Sequence, residues 1–108
     1  MGKHYLLNLY GCPFYLLNDE RFLIDLMENA AVASGATVVE TIYKKFDPQG
    51  ATVLTLLEES HISIHTWPET GEAAVDIFTC GDANPKIGCD IIILQLKCAN
   101  SEFQYIER

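Results

Sequence analysis

Apolar and polar residues alternate along most of this chain, and where the alternation breaks it gives way to spacings of three and four. His4 to Tyr10 is a short apolar and aromatic run ended by Gly11-Cys12-Pro13, which predicts a strand and then a turn. Asn18 or Asp19 can cap a helix whose apolar positions are Phe22, Leu23, Leu26, Met27, Ala30 and Ala31, with Gly35 as its stop. Thr37 to Phe46 is Val-rich and β-branched, a second strand, and Asp47-Pro48-Gln49-Gly50 has turn chemistry. Ala51 to Leu57 predicts a third strand. His61 to Thr66 sets Ile62 and Ile64 against His61, Ser63 and His65, a fourth strand ended by Pro68. Ala73 to Thr79 is a fifth, closed by Gly81-Asp82. Between Asn84 and Lys97 the Asn-Pro pair opens a helix while Ile91-Ile92-Ile93 prefers a strand, and the reading is a helix. Ser101 to Ile106 is a short last strand. The order predicts an α+β fold, a two-layer sandwich with helices on one face of a largely antiparallel sheet.

At 108 residues the chain is expected to form one domain, too small to enclose a large cavity alone. Fifteen acidic residues against seven basic ones give a net charge of −8, which argues against a nucleic-acid partner. No apolar run approaches the ~20 residues of a membrane span, and the first residues lack signal-peptide layout, so no membrane role and a cytoplasmic location are expected. Cys12, Cys80, Cys89 and Cys98 show no zinc-like spacing and read as thiols.

The chain's unusual residues, many of them titratable, gather between Phe46 and Asp82: Glu58, Glu59, Ser60, His61, His65, Trp67, Glu69, Asp76 and Cys80. His61 and His65 have the spacing of two metal ligands on a helix. On a strand, four residues span roughly 13 Å, so no metal is expected there. A Ser-His-Asp hydrolase lacks its G-x-S-x-G elbow.

LLEESHISIHTWPE (Leu56 to Glu69), with KFDPQG (Lys45 to Gly50) before it and DIFTCGD (Asp76 to Asp82) after it, resembles the prokaryotic S-adenosylmethionine decarboxylases. GKHYLLNLYGC (Gly2 to Cys12) and LNDERF (Leu17 to Phe22) fit the same family. The resemblance implies a proenzyme that cuts itself between Glu59 and Ser60 into a β chain (1–59) and an α chain (60–108). Ser60 then becomes a pyruvoyl group, which forms a Schiff base with the substrate's amine and replaces pyridoxal phosphate as the electron sink. It also implies that His65 is the proton acceptor for processing, that Thr52 supplies a helping hydroxyl where many members carry serine, and that Cys80 is the proton donor to the product. Phe46 matches the aromatic that stacks on adenine and Glu69 the acid that holds the ribose. Glu59, beside the cleavage point, is expected to be a second substrate contact. Trp67 reads equally as a substrate contact and as a partly buried aromatic; His61 and Ser63 read as structural hydrogen-bonding residues.

Lys44 stands where a histidine is common and Glu72 where an aromatic is common, so another amino acid such as ornithine or arginine is the alternative substrate. A non-processing partner subunit is the alternative from outside enzymology. The resemblance further implies a homodimer with sites built from both protomers.

Overall fold

The computed structural model describes residues 1–58 and 60–108; Glu59, expected at the cleavage point and in substrate binding, lies outside the described residues. Each predicted strand finds partners in one sheet. The elements in chain order are β1 (Gly2–Tyr10), α1 (Phe14–Leu17), α2 (Glu20–Ala33), β2 (Val38–Lys45), β3 (Ala51–Leu57), β4 (Ser60–Trp67), β5 (Glu72–Cys80), α3 (Pro85–Gln95) and β6 (Asn100–Glu107). The sheet order is β2-β3-β4-β5-β1-β6, and every neighbouring pair is antiparallel.

Alternation sorts the side chains onto two faces. Leu7, Leu9, Val53, Leu57, Ile62, Ile64, Val75 and Ile77 are buried under α2 and α3, which contribute Leu23, Met27, Ala30 and Ile92 to the same core. Asp19, one of the two predicted caps, accepts a hydrogen bond from the Phe22 amide. Asn18 instead accepts from the Gly50 amide at 2.9 Å and so ties the turn before β3 to α1. Asn84 caps α3 through the Lys86 amide. That bond and the proline at the first turn decide the ambiguous segment for helix over strand. At Gly88 the helices touch, for a Cβ there would lie 3.1 Å from the Ala30 carbonyl oxygen and 2.6 Å from Ser34 Oγ.

Among the described residues no helix lies over the opposite face. The register aligns three rows across the central strands: Thr52, His65, Ala74 and Asn8; Leu54, Ser63, Asp76 and Leu6; Leu56, His61, Phe78 and His4. Ile42, Leu54, Leu56 and Ile106 on this face are exposed. The one-turn α1 was not foreseen, because four residues carry no helical period.

Candidate active site

One end of the open face is a shallow cleft. The turn from β2 to β3 is closed by the Phe46 amide on the Gly50 carbonyl at 2.8 Å. Gly50 there has φ +100°, and a Cβ would come within 3.1 Å of the Thr66 carbonyl oxygen, so glycine is required. Buried Thr66 fixes the same corner: its hydroxyl donates to the Leu17 carbonyl at 2.8 Å and accepts from the Ala51 amide at 3.0 Å. These bonds hold a cleft of about 330 Å³ lined by Phe46, Gln49, Thr52, His65, Trp67 and Glu69. Within it Thr52 Oγ1 and His65 Nδ1 are 2.9 Å apart, a cross-strand pair of β3 and β4. Phe46 and Trp67 expose their rings, and the His65 and Trp67 rings lie 6.5 Å apart. Lys44 is the cross-strand neighbour of Thr52, and Glu72 that of Trp67, so both unusual residues border this cleft.

Ser60 and Cys80 are at the other end. Ser60 opens β4 and Cys80 closes β5, where the register sets His61 beside Phe78. Five residues of extended chain separate Ser60 from His65, roughly 16 Å. The residues expected to act together thus form two groups: Thr52, His65, Phe46, Trp67 and Glu69 at one end, Ser60 and Cys80 at the other.

Between the ends sits a cluster that sequence reasoning did not assemble. Asp76 Oδ2 is 2.8 Å from both His4 Nε2 and His61 Nε2, and Ser63 Oγ donates to Asp76 Oδ1. Burial opposes ionisation of Asp76, but hydrogen bonds from Ser63, His4 and His61 prevail and hold its pKa below the ordinary carboxylate value. Its partners lie 13, 15 and 72 residues away, so spacing could not pair them. The available signal was a lone carboxylate within the apolar run of β5, which demands donors.

His4, His61 and Asp76 are also the group of the described residues whose ligand atoms lie close enough for a metal ion, within 4.8 Å of one another. The hydrogen bonding argues otherwise. Arg108 Nη1 is 3.4 Å from His4 Nδ1, and a guanidinium only donates, so Nδ1 accepts and Nε2 carries the hydrogen given to Asp76. That leaves His4 no lone pair toward the centre. His61 and His65, the spacing first tested for a metal, point to different partners, Asp76 and Thr52.

Burial, aided by neighbouring Cys98, pushes the Cys12 thiol up to about 11, and burial pushes Cys89 up to about 12. Burial also raises Cys98. These three are packed, protonated thiols at neutral pH.

The family model described as S-adenosylmethionine decarboxylase matches residues 3–108. The chain is 48% identical over 109 residues to the "S-adenosylmethionine decarboxylase proenzyme" of Prochlorococcus marinus (strain MIT 9313), covering all of this chain and 87% of that one. It is 52% identical over 101 residues to the protein of that name from Synechococcus sp. (strain WH7803), covering 93% and 79%. A crystal structure of the adenosylmethionine decarboxylase from Aquifex aeolicus VF5 superposes with a TM-score of 0.94 at 39% identity, covering all of this chain and 90% of that one. Fold and comparisons together define an α+β enzyme of the carboxy-lyase class. The chain belongs to the S-adenosylmethionine decarboxylase family.

Proposed function

We propose that the chain is a proenzyme that cuts itself between Glu59 and Ser60 and then decarboxylates S-adenosylmethionine, yielding the aminopropyl donor for spermidine synthesis. The observation that carries this reading is the division of the matched residues between two ends of one sheet, with Ser60 and Cys80 at the end opposite the cleft. A two-fold pairing of protomers through the open face sets the Ser60 end of each against the cleft of the other, giving two composite sites per homodimer. The uncovered Ile42, Leu54, Leu56 and Ile106 supply the apolar surface such a pairing buries. A cleft of about 330 Å³ is at the low end for a ligand site, as half of a shared one would be.

In processing, the Ser60 hydroxyl attacks the Glu59 carbonyl carbon, and the C–N bond breaks as the acyl group passes to oxygen. A base then removes the Cα proton of residue 60, and the Cβ–O bond breaks to release the Glu59 carboxylate. The dehydroalanine left behind takes up water and loses ammonia to become the pyruvoyl terminus of the α chain. His65, held by Thr52, is the base. Thr52 keeps the hydroxyl that the role needs, while its β-branch restricts how it turns, which bears on processing rate.

Ser60 suits the prosthetic group because it begins a strand: a cut before it leaves the register from His61 onward intact. When formed, the pyruvoyl group supplies an electron sink for loss of CO₂ from an amine bound to it. This chain's residues do the rest. Phe46 stacks on the adenine, Glu69 accepts from the ribose hydroxyls, and Trp67 and the acidic surroundings favour the sulfonium charge. Cys80 Sγ delivers the proton to the substrate's Cα after CO₂ has left. The enzyme is soluble and cytoplasmic in this reading; among the described residues no helix is long and apolar enough to cross a membrane.

Intact-mass measurement under denaturing conditions tests it. The expected result is two fragments split after residue 59, the second with a pyruvoyl terminus, and a single chain for Ser60→Ala. One uncut 12.1 kDa species from the wild type contradicts it.

A further inference from the structure

A cut before Ser60 turns the start of β4 into a chain terminus, and strand termini fray unless they are tied down. The reacting group at such an end has to be held to within about 0.5 Å. His61, the next residue, carries the amide through which residue 60 is attached. Its side chain on the open face is bonded at 2.8 Å to Asp76 of β5, and the same carboxylate oxygen is 2.8 Å from His4 of β1. Ser63, two residues further along β4, donates to the other oxygen. One carboxylate therefore fastens the first two open-face side chains of β4, His61 and Ser63, to β5 and, through His4, to β1.

Packing reinforces the fastening. The Phe78 ring completes a triangle with the two imidazoles, 5.4 Å from His4 edge-on and 6.1 Å from His61, which are 6.2 Å from each other. The Arg108 guanidinium covers that ring at 5.2 Å and holds His4 in the tautomer that donates to Asp76. Asp76, His4 and His61 have no part in the proposed chemistry, yet even partly burying a carboxylate and two imidazoles on a sheet costs free energy unless their hydrogen bonds are made.

We propose that Asp76 is a positioning residue that anchors the new α-chain terminus: acting through His61, with His4 as its brace, it fixes residue 60 against Cys80 and the partner's cleft once the chain is cut. This deepens the proposed function and rests on the cut before Ser60. Asp76 acts on the reaction by limiting where residue 60 sits, since a displacement of about 1 Å at a reacting group costs roughly 10²-fold.

The test compares wild type, Asp76→Asn, His4→Ala and His61→Ala, with His61→Gln as the conservative variant that retains an amide donor. Asp76→Asn is expected to be cut, shown by mass, but to lose roughly 10²-fold in kcat with KM little changed. Peptides covering 61–63 should exchange their amide hydrogens about tenfold faster in the cut protein and not in its Ser60→Ala counterpart, where the chain is continuous. His4→Ala should show a smaller effect in the same direction, and His61→Gln should restore most of the rate lost in His61→Ala. A merely structural role would speed exchange equally in cut and uncut protein. That result, or a cut Asp76→Asn enzyme with wild-type kcat and exchange, overturns the anchor while leaving the processing reading intact. A wild-type chain that is never cut overturns both. Should Asp76→Asn not fold, His4→Ala and the His61 pair carry the same comparison.

Discussion

The two ends of the open sheet face are made differently. The cleft end is preorganised: the Gly50 turn, Asn18 and Thr66 bind it to the helix layer, and the Thr52–His65 pair is already at 2.9 Å. The Ser60 end has reactive groups but little shape, only a strand start, a strand end and the Asp76 cluster behind them. In the proposed function one end binds and moves a proton, and the other is cut and carries the reacting group. On that reading neither is a site alone, and a second copy of so small a chain completes it.

The largest effects should come from breaking each end. Ser60→Ala is expected to abolish cutting and decarboxylation together, and His65→Ala to block or slow cutting by about 10²- to 10⁴-fold, both followed by mass against time. Cys80→Ala separates the steps: mass should show complete cutting while kcat falls by about 10²- to 10⁴-fold. A Cys80→Ala enzyme at wild-type kcat would remove the thiol from the mechanism.

Phe46→Ala sharpens the contrast from the cleft side. Losing a stack on a base costs about 1–3 kcal/mol, so KM should rise roughly 5- to 150-fold with cutting unaffected. A substrate panel read by CO₂ release belongs with it. Activity confined to ornithine or arginine would show that Lys44 and Glu72, which border the cleft, have redirected it. On the helix side, Gly88→Ala forces a Cβ against Ala30 and Ser34, and should lower stability by about 1–3 kcal/mol in thermal unfolding while leaving both steps of the chemistry in place.

The smallest effect is electrostatic. Because the folded-state pKa of Asp76 is lowered, its contribution to stability is present in full above the ordinary carboxylate value near 3.9 and is lost as pH falls through the lower folded value. Unfolding free energy should therefore be insensitive to this group between pH 5 and 8, and Asp76→Asn should flatten the loss of stability below about pH 4. Denaturant titrations at each pH measure it; an Asp76→Asn protein as acid-sensitive as the wild type would contradict the assignment.

Legibility in the sequence followed the range of the interactions. Alternation at Ile62 and Ile64, the Asp19 cap and the Asn84-Pro85 opening are local, and they predicted five strands, two helices and the two-layer arrangement. The sixth strand, β6, was also legible, although all its residues are exposed, because Phe103, Tyr105 and Ile106 favour extended chain. The candidate site was legible as motifs but not as geometry. Ser60 and His65 look adjacent in the sequence, yet a strand holds them apart, whereas Thr52 and His65 look distant and are paired by register. The Asp76 cluster depends on β1 lying beside β5, which nothing in the sequence near His4 discloses.

The central claim, that each site takes Ser60 from one protomer and His65 from the other, is tested most directly by producing Ser60→Ala and His65→Ala chains together and measuring intact masses. In the mixed dimer one composite site pairs an intact Ser60 with an intact His65. The account predicts that in mixed dimers the His65→Ala chain is cut at near the wild-type rate and the Ser60→Ala chain is not, while Ser60→Ala alone stays whole and His65→Ala alone is blocked or slowed by at least about 10²-fold. If the His65→Ala chain remains uncut in a verified mixed dimer, the two ends do not complete each other and the account is wrong.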